Sequence, residues 1–281
     1  MIKAIRKNKE LLTDILACSG DVENFYMWWL GQSGYLIQYK GSRILIDPYL
    51  SDSLTKKYHN TDKPHVRISE LVINPADLPS IDFITSSHNH TDHLDAETVL
   101  PILKKNNSCK LIIPEANRSF VCDRMKIEYE MPIGLDSGET FKTETFSFTA
   151  IPAAHNTVEK DEEGRCKFLG YMIKLGDWCI YHSGDTLLYD GIDEAMKLHR
   201  PNIAFLPING NDPSRKVAGN LNAEEAVALA KKNMIPLVIP CHYDLFEFNT
   251  VNVNSFIEIA NNESQRYCVL DIGGKFSSNE L

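Results

Sequence analysis

The stretch SSHNHTDHLD, residues 86–95, contains three histidines and two aspartates within ten positions. His88, His90, Asp92 and His93 form the spacing His-x-His-x-Asp-His, and all four side chains are common metal ligands. Alternate residues of an extended chain project to the same side, so His88 and His90 can serve one ion. Asp92 and His93 follow a turn and can face a second ion. The loop completes neither site, so further ligands must come from elsewhere in the chain.

Three further candidate ligands each follow an apolar run that is typical of a buried strand. His155 follows FSFTAIP, Asp185 follows WCIYHS, and His242 follows LVIPC. A single histidine or aspartate at a strand end means little, but three of them after such a loop are hard to obtain by chance. We therefore predict that these three side chains join the loop in one centre that binds two metal ions.

Short runs rich in β-branched and aromatic residues predict the strands that position these ligands. The predicted strands are FYMWWL (25–30), YLIQY (35–39), RILID (43–47), FITSS (83–87), KLIIP (110–114), FSFTAIP (146–152), YMIKL (171–175) and WCIYHS (178–183). Helical patterns cover 96–106, 222–233 and 253–262, and hairpin turns are predicted at Lys40–Gly41 and Gly176–Asp177. Early hairpins followed by strand–helix alternation predict an α/β (α+β) fold, a four-layer αββα sandwich in a single domain over residues 1–281.

Two segments fall outside this pattern. Residues 1–22 are basic, and their apolar side chains fall roughly on one face, which predicts an N-terminal amphipathic helix. Docking on its own core is favoured over binding to a partner or to a membrane surface. The apolar residues of that face are Ile2, Ile5, Leu12, Ile15 and Leu16. Residues 51–80 have few periodic apolar positions, and we interpret them as an irregular lid or an insertion at a subunit interface.

Composition narrows the setting of the site. The chain has 281 residues, with 29 Lys and Arg against 38 Asp and Glu, and no apolar run long enough to cross a membrane. An acidic balance without a basic block argues against nucleic-acid binding. Seven scattered cysteines without a CxxC pair indicate reduced thiols and a cytoplasmic protein. The expected binding partner is a small-molecule substrate. The sequence leaves open whether the chain forms a homo-oligomer.

The motifs resemble those of the metallo-β-lactamase superfamily. The resemblance rests on HNHTDH, His155, the aspartate of SGDT and His242, and it spans residues 26–243. It implies that one metal ion is bound by His88, His90 and His155, that a second is bound by Asp92, His93 and His242, and that Asp185 bridges the two. Asp47, in ILIDPYL, matches an early aspartate that supports the metal loop by hydrogen bonding in this superfamily.

A closer resemblance is to the L-ascorbate-6-phosphate lactonase branch, whose members hydrolyse a sugar-acid lactone with a divalent metal, typically manganese. It rests on MWWLGQSGYLIQ, YHSGDT, NDPSRK, VIPCHYDLF and IGGKF. At His155 the chain is closer to the superfamily than to this branch. The alternatives are a metal-dependent phosphodiesterase acting on a cyclic nucleotide or a phospholipid head group, and a metal-binding scaffold without activity.

The expected chemistry is hydrolysis by a dinuclear centre of manganese or zinc. Two ions roughly 3.5–4 Å apart share a water whose pKa falls toward ~7, and the resulting hydroxide attacks the lactone carbonyl. Asp92 and Asp185 are the candidate catalytic carboxylates, and Asp92 would orient the hydroxide or pass its proton to the leaving oxygen. The candidate substrate contacts, the basic ones for an anionic group, are His182, Arg215, Lys216, Tyr243 and Lys275.

Overall fold

The computed structural model describes residues 1–215 and 217–281, in which the strands form a seven-stranded and a six-stranded sheet. The strands are β1 (Phe25–Gly31), β2 (Gly34–Tyr39), β3 (Ser42–Ile46), β4 (Phe83–Thr85), β5 (Lys110–Pro114), β6 (Ile133–Leu135), β7 (Thr140–Lys142), β8 (Phe146–Pro152), β9 (Leu169–Leu175), β10 (Trp178–His182), β11 (Ile203–Pro207), β12 (Leu237–Cys241) and β13 (Lys275–Ser277). The helices are α1 (Asn8–Ala17), α2 (Ser53–Tyr58), α3 (Ala96–Lys105), α4 (Arg118–Met125), α5 (Ile192–His199), α6 (Ala223–Lys232) and α7 (Val253–Asn262).

Both sheets are mixed. The first has the order β13-β1-β2-β3-β4-β5-β6, antiparallel as far as β3 and parallel from β3 onward. The second has the order β12-β11-β10-β9-β8-β7, with β10, β11 and β12 parallel and the other pairs antiparallel. Strands β8, β10 and β12 therefore run in the same direction, and their carboxyl ends lie at one edge.

The predicted hairpin turns are confirmed. Lys40 and Gly41 have φ of 48° and 77°, so that Tyr39 pairs with Ser42 across a two-residue turn. Both positive φ values match the turn whose twist suits antiparallel strands, and glycine adopts one of them without steric cost. Gly176 and Asp177 likewise join β9 to β10, with Leu175 paired with Trp178.

The two sheets pack face to face through aromatic side chains. The ring of Tyr35 on β2 stacks on Phe205 of β11 with centroids 4.2 Å apart, and Phe83 on β4 lies 5.4 Å from Phe148 of β8. Helices lie outside this core: α1 bonds to the first sheet through Asp14 and Trp28, and α6 packs on β11 and β12. The αββα prediction is confirmed.

The N-terminal helix is shorter than predicted. It covers Asn8–Ala17, and the residues before it are extended, with backbone bonds from Ile2 to Ile68 and from Ile5 to Ile272. The buried pair is Leu11 and Ile15, which lie one turn apart on the face toward the core. Ile2, Ile5 and Leu16 are exposed, so the apolar face predicted from the sequence was wrong at these three residues.

Residues 51–80 contain more regular structure than expected. They include α2 and a 3₁₀ turn at Pro75–Asp77. Leu54 of α2 belongs to a small hydrophobic cluster, separate from the main core, whose other buried members are Tyr49, Leu245 and Phe246. The role of this segment as a lid or an interface stays a prediction.

Several elements were not predicted from the sequence. Strands β6, β7 and β13 have three residues each, which is too short to show an alternating pattern. Strand β11 and helices α4 and α5 were also not predicted. No helix in the described part of the chain combines the length and apolar character that a bilayer crossing requires.

Candidate metal centre

The predicted ligands converge at the carboxyl ends of strands from both sheets. The loop 86–95 follows β4 and leads into α3. His155 lies three residues after β8, Asp185 lies three residues after β10, and His242 follows β12 directly. Because β8, β10 and β12 run in the same direction, their ends present these side chains to the loop from one edge of the second sheet.

Asp185 lies among the histidines. Its Oδ1 is 3.2 Å from Nε2 of His93, and its Oδ2 is 3.4 Å from Nε2 of His242 and 4.0 Å from Nε2 of His88. Oδ2 of Asp92 is 3.7 Å from Nε2 of both His93 and His242. Ligand atoms about 2.0–2.2 Å from one cation lie roughly 3–4 Å from one another, so these separations fit atoms that share a cation.

Three groups of side chains have donor atoms within 4.8 Å of one another. The groups are His88 with His93 and Asp185, His90 with His155 and Asp185, and Asp92 with His93 and His242. The last matches the trio assigned to the second ion, and Asp185 belongs to two groups, as a bridging position requires. His88 was assigned with His90, but its ring lies between His90 and His93, at centroid distances of 4.5 Å and 4.2 Å.

Several buried nitrogen and oxygen atoms that could bind metal in this cluster have no hydrogen-bond partner among the described residues. They are Nε2 of His88, Nε2 of His93 and Oδ1 of Asp185. Leaving a buried polar atom unpaired costs about 1–3 kcal/mol, so such atoms are normally satisfied. Imidazole and carboxylate lone pairs gathered in one place fit a divalent cation that accepts nitrogen and oxygen ligands. The residues present therefore fit a metal centre.

Asp47, at the end of β3, lies under the metal loop. Its carboxylate accepts hydrogen bonds from the backbone N–H of Ser87 at 2.9 Å, Nδ1 of His93 at 2.6 Å and Nε2 of His182 at 3.0 Å. Burial opposes its charge, but His182 and His93 outweigh burial and hold the pKa of Asp47 below its ordinary value. The bond from Nδ1 leaves Nε2 of His93 available as a ligand atom.

Burial determines the protonation state of most of the other histidines. It lowers the pKa of His88 well below the ordinary value, and it also lowers the pKa values of His90 and His155. These imidazoles are neutral at pH 7, which is the form that binds metal. In His93, burial again disfavours the charged ring, but the neighbouring carboxylates, chiefly Asp185, outweigh it and raise the pKa.

Two glycines allow the ligand segments to approach other backbone closely. Gly184 of SGDT has φ of 61°, and a Cβ there would lie 2.7 Å from the carbonyl oxygen of Leu169 and 2.8 Å from Cβ of Ser87. Gly219 has φ of 82°, and a Cβ there would collide with the backbone of His155. Both positions combine a backbone conformation and a lack of space that favour glycine.

A cavity of about 320 Å³ opens over the cluster. We call the side of this cavity formed by the candidate ligands His90, Asp92, His155, Asp185 and His242 the floor. The other lining residues are Leu54, Lys57, Tyr58, Lys63, His65, Asn89, Thr91, Arg124, Val217, Ala218, Asn220, Phe248 and Asn249. A volume of this size accommodates a small molecule.

The residues predicted to contact substrate are not among the described residues that line this cavity. His182 is fully buried and bonds to Asp47, so it supports the metal loop. Tyr243 is also buried: its ring stacks on Trp29 with centroids 4.8 Å apart, and its hydroxyl donates to the carbonyl oxygen of Leu270. Neither side chain has a surface open to the cavity.

Two of the basic candidates for substrate contact, Arg215 and Lys275, bond to other parts of the protein. Arg215 donates to the carbonyl oxygens of Asn209 at 3.2 Å and Thr250 at 2.7 Å, so it connects two loops. Nζ of Lys275, on β13, lies 2.7 Å from Oδ1 of Asp14 in α1, so this residue anchors the N-terminal helix. Lys216, also a candidate, lies outside the described residues.

Gln32 was missed by the sequence analysis. It lies in the turn after β1, is fully buried, and has a φ of 53°. Its Nε2 is 3.0 Å from Oδ2 of Asp92 and 3.1 Å from Nε2 of His242, whereas its Oε1 has no partner among the described residues. The only signal in the sequence was an uncharged polar residue in a turn flanked by Gly31 and Gly34, which is too common to be informative.

Comparison with known proteins agrees with this geometry. A family model described as a beta-lactamase superfamily domain matches residues 42–243. A UPF0173 metal-dependent hydrolase from Archaeoglobus fulgidus is 30% identical over 223 residues, which cover 78% of this chain and 83% of the relative.

Solved structures show the same fold. An isothiocyanate hydrolase from Delia radicum gut bacteria superposes with a TM-score of 0.72 at 16% identity, over 90% of this chain and 100% of that one. A metallo hydrolase from Ignicoccus hospitalis has a TM-score of 0.65 at 21% identity, over 90% and 98% of the two chains. With the family match and the convergent ligands, these findings show that the chain belongs to the metallo-β-lactamase superfamily and is a metal-dependent hydrolase of that superfamily.

Proposed function

We propose that this hydrolase uses two divalent ions to open a small acidic or phosphorylated lactone. The observation that carries the proposal is the convergence of seven histidine and aspartate side chains, several with unpaired donor atoms, beneath a cavity of about 320 Å³. That volume suits a sugar-sized molecule. The resemblance of MWWLGQSGYLIQ and YHSGDT to the L-ascorbate-6-phosphate lactonase branch favours a lactone among such molecules.

The proposed cofactors are two manganese or zinc ions. Carboxylate oxygens of Asp185 lie within 4.8 Å of the ligand atoms of two groups, His88 with His93 and His90 with His155. This supports Asp185 as a bridging carboxylate. Burial opposes the charge of Asp185, but His242 and His93 outweigh it and hold its pKa well below the ordinary value, so it stays ionised. Bound divalent ions would lower the pKa of a shared water to about 7 and polarise a carbonyl oxygen.

The proposed proton carrier is Asp92. Its carboxylate lines the cavity, and the side-chain amide of Gln32 donates to its Oδ2 at 3.0 Å, which fixes its orientation. From this position Asp92 would accept the proton of the attacking water and deliver it to the ring oxygen that leaves when the lactone opens. A carboxylate within hydrogen-bond reach of the reacting oxygen is suited to this transfer.

The proposed setting is the cytoplasm, with a small molecule as the binding partner. All seven cysteines lie within the described residues and each is unpaired. Reduced thiols are the state that a cytoplasm maintains.

The test compares metal-loaded wild type with His90→Ala and Asp185→Ala on ribonolactone phosphate, with product formation corrected for spontaneous hydrolysis. Losing the metal removes several kcal/mol of charge stabilisation, which predicts a fall in kcat/KM of about a thousandfold or more. The matched control is His199→Ala, because His199 lies at the end of α5 and is not a lining residue. Metal content is measured for every variant.

Two outcomes contradict the proposal. Full lactone turnover by Asp185→Ala would show that the metal centre does not carry the reaction. Faster turnover of bis-p-nitrophenyl phosphate than of any lactone would favour the phosphodiesterase alternative.

A further inference from the structure

We propose that Lys57, Lys63 and Arg124, here called the cationic wall, bind the anionic group of the substrate while the floor performs the hydrolysis. This inference rests on the proposed function, because it assigns the substrate-recognition part of the same cavity. It replaces Arg215 and Lys275, which the sequence suggested and whose side chains are engaged elsewhere.

The acidic and the basic residues that line the cavity come from different elements of the fold. Among the described lining residues, the acidic ones are Asp92 and Asp185, and both belong to the metal cluster. The three cations of the wall come from other elements: Lys57 from α2, Lys63 from the loop after it, and Arg124 from α4. With divalent ions bound at the floor, the whole cavity would favour a negatively charged ligand.

Arg124 is a half-buried cation with no ion pair within 4.0 Å in the described chain, and the charge of Asp95 compensates it only in part. Its Nη1 donates to the carbonyl oxygens of Asn89 at 2.7 Å and Leu94 at 3.0 Å, and its Cζ lies 4.4 Å from the ring centre of Phe120. Nε and Nη2 have no hydrogen-bond acceptor among the described residues. Burial lowers the pKa of Arg124, which reflects an unfavourable desolvation of its charge. An anion accepting from the free edge of the guanidinium would offset that desolvation.

The two neighbouring lysines of α2 have different roles. Nζ of Lys56 lies 3.0 Å from Oε2 of Glu97 in α3, so its charge is compensated within the protein. Lys57 lines the cavity, and its Nζ lies 5.0 Å from the ring centre of Tyr58. Neither Lys57 nor Lys63 has a carboxylate oxygen within 4.0 Å among the described residues. These charges are therefore available to a ligand.

The backbone that carries the two lysines is held by local contacts. His65 donates from Nδ1 to the carbonyl oxygen of Lys63 at 2.8 Å, and its ring stacks on Tyr58 with centroids 4.4 Å apart. The hydroxyl of Thr55 donates to the carbonyl oxygen of His65 at 2.6 Å. Because the segment is already folded back on α2, its lysines lose less conformational freedom when they bind an anion.

The test uses the double variant Lys57→Ala/Lys63→Ala, with Lys56→Ala as the matched control and Arg124 left intact because it also bonds to the metal loop. Metal-loaded proteins are assayed on ribonolactone phosphate and on uncharged ribonolactone. Losing two partly exposed charge contacts predicts a rise in KM for the phosphate ester of about tenfold or more, with kcat nearly unchanged. Turnover of ribonolactone and metal content should stay at wild-type values, and Lys56→Ala should behave as wild type on both substrates.

A second measurement does not depend on lactone turnover. Calorimetric titration with ribose phosphate should show binding to the metal-loaded wild type and to Lys56→Ala, and about tenfold weaker binding to the double variant. If this pattern appears but no lactone is opened, the proposed function fails and the cationic wall stands. A butyrolactone that carries a carboxylate, assayed in parallel, distinguishes recognition of carboxylate from recognition of phosphate.

The inference is overturned if the double variant and the wild type share the same KM for ribonolactone phosphate and the same affinity for ribose phosphate. It is also overturned if the double variant loses activity on charged and uncharged lactones equally. In either case lactone turnover by the wild type would leave the proposed function intact.

Discussion

The floor and the cationic wall of the cavity are held in place by different parts of the fold. The floor residues follow the ends of β4, β8, β10 and β12, strands that are buried in the main core. The wall residues Lys57 and Lys63 lie on and beside α2, whose buried residue Leu54 belongs to the small separate cluster. The floor is therefore fixed by the main core, whereas the two lysines of the wall are fixed by contacts among surface elements. Arg124 lies on α4, whose Val121 and Met125 pack in the main core.

This difference matches the demands of the two tasks. Metal ligands must keep their geometry to within a fraction of an ångström, and residues fixed by packed strands and by a buried carboxylate such as Asp47 meet that demand. A segment outside the main core opens at a lower free energy, which suits a surface that must admit and release a substrate. We expect substitutions at the floor to abolish chemistry, and substitutions at the wall to change which molecules bind.

The largest expected effect concerns the support of the floor, in the variant Asp47→Asn. The carboxylate accepts from Ser87, His93 and His182, and an amide would present its own N–H₂ to some of these donors. Disturbing a hydrogen-bond partner of a metal-ligating histidine costs about 10–100-fold in metal affinity, so we expect a loss of that size. Metal titration followed by calorimetry measures it.

Asp14→Asn is the matched control for that variant. Asp14 has ion-pair and hydrogen-bond partners in Lys275 and Trp28, and these lie outside the cavity lining. It should lower stability without changing metal affinity. Metal binding by Asp47→Asn at wild-type affinity would contradict the view that the floor depends on this carboxylate.

A smaller effect is expected from acid. His88, His90 and His155 have folded pKa values below the ordinary 6.5, so the unfolded chain takes up protons near pH 6 that the folded chain does not. Above pH 6.5 these three histidines do not lower the stability of metal-free protein. As the pH falls below 6.5, proton uptake by the unfolded chain progressively lowers it. The raised pKa of His93 favours the folded protein at acid pH, but His93 is one group against the three histidines whose pKa values are lowered.

The melting temperature of chelator-treated protein should consequently fall between pH 7.5 and pH 5.5. Lys57→Ala/Lys63→Ala should show the same dependence, since these substitutions leave His88, His90 and His155 in place. A melting temperature that rises on acidification would show that His88, His90 and His155 are not the groups that determine acid stability.

The floor could be predicted from sequence because its residues are common metal ligands and occur in a recognisable spacing or directly after apolar runs. His155, Asp185 and His242 each follow an apolar run, and the order of strand ends in a sheet places them together. Grouping them into two sites was harder: His88 is grouped with His93, because ring positions within a turn depend on packing that the spacing does not encode.

The cationic wall could not be predicted in this way. Lys57 and Lys56 are neighbours on one helix, and only the three-dimensional structure shows that Lys56 pairs with Glu97 whereas Lys57 lines the cavity. Arg215 and Lys275 looked equally suitable, because a sequence does not reveal which cations already have partners inside the protein. Recognition residues on surface segments lack the periodic and spacing signals that identify metal ligands.

The smallest expected effect concerns the anchor of the wall, in the variant Arg67→Ala. Nε of Arg67 lies 2.8 Å from Oδ1 of Asp52, and its Nη2 donates to the carbonyl oxygen of Ser51 at 2.5 Å, just before α2. Removing these bonds costs about 1 kcal/mol, which corresponds to about a fivefold larger population of opened wall. Trypsin should then cut after Lys56 and Lys57 faster, and KM for ribonolactone phosphate should rise severalfold while kcat and metal affinity stay constant. Arg165→Ala is the control, because Arg165 pairs with Asp161 on an unrelated hairpin. A loss of metal from Arg67→Ala would contradict the comparison, because it would show that the wall and the floor do not open independently.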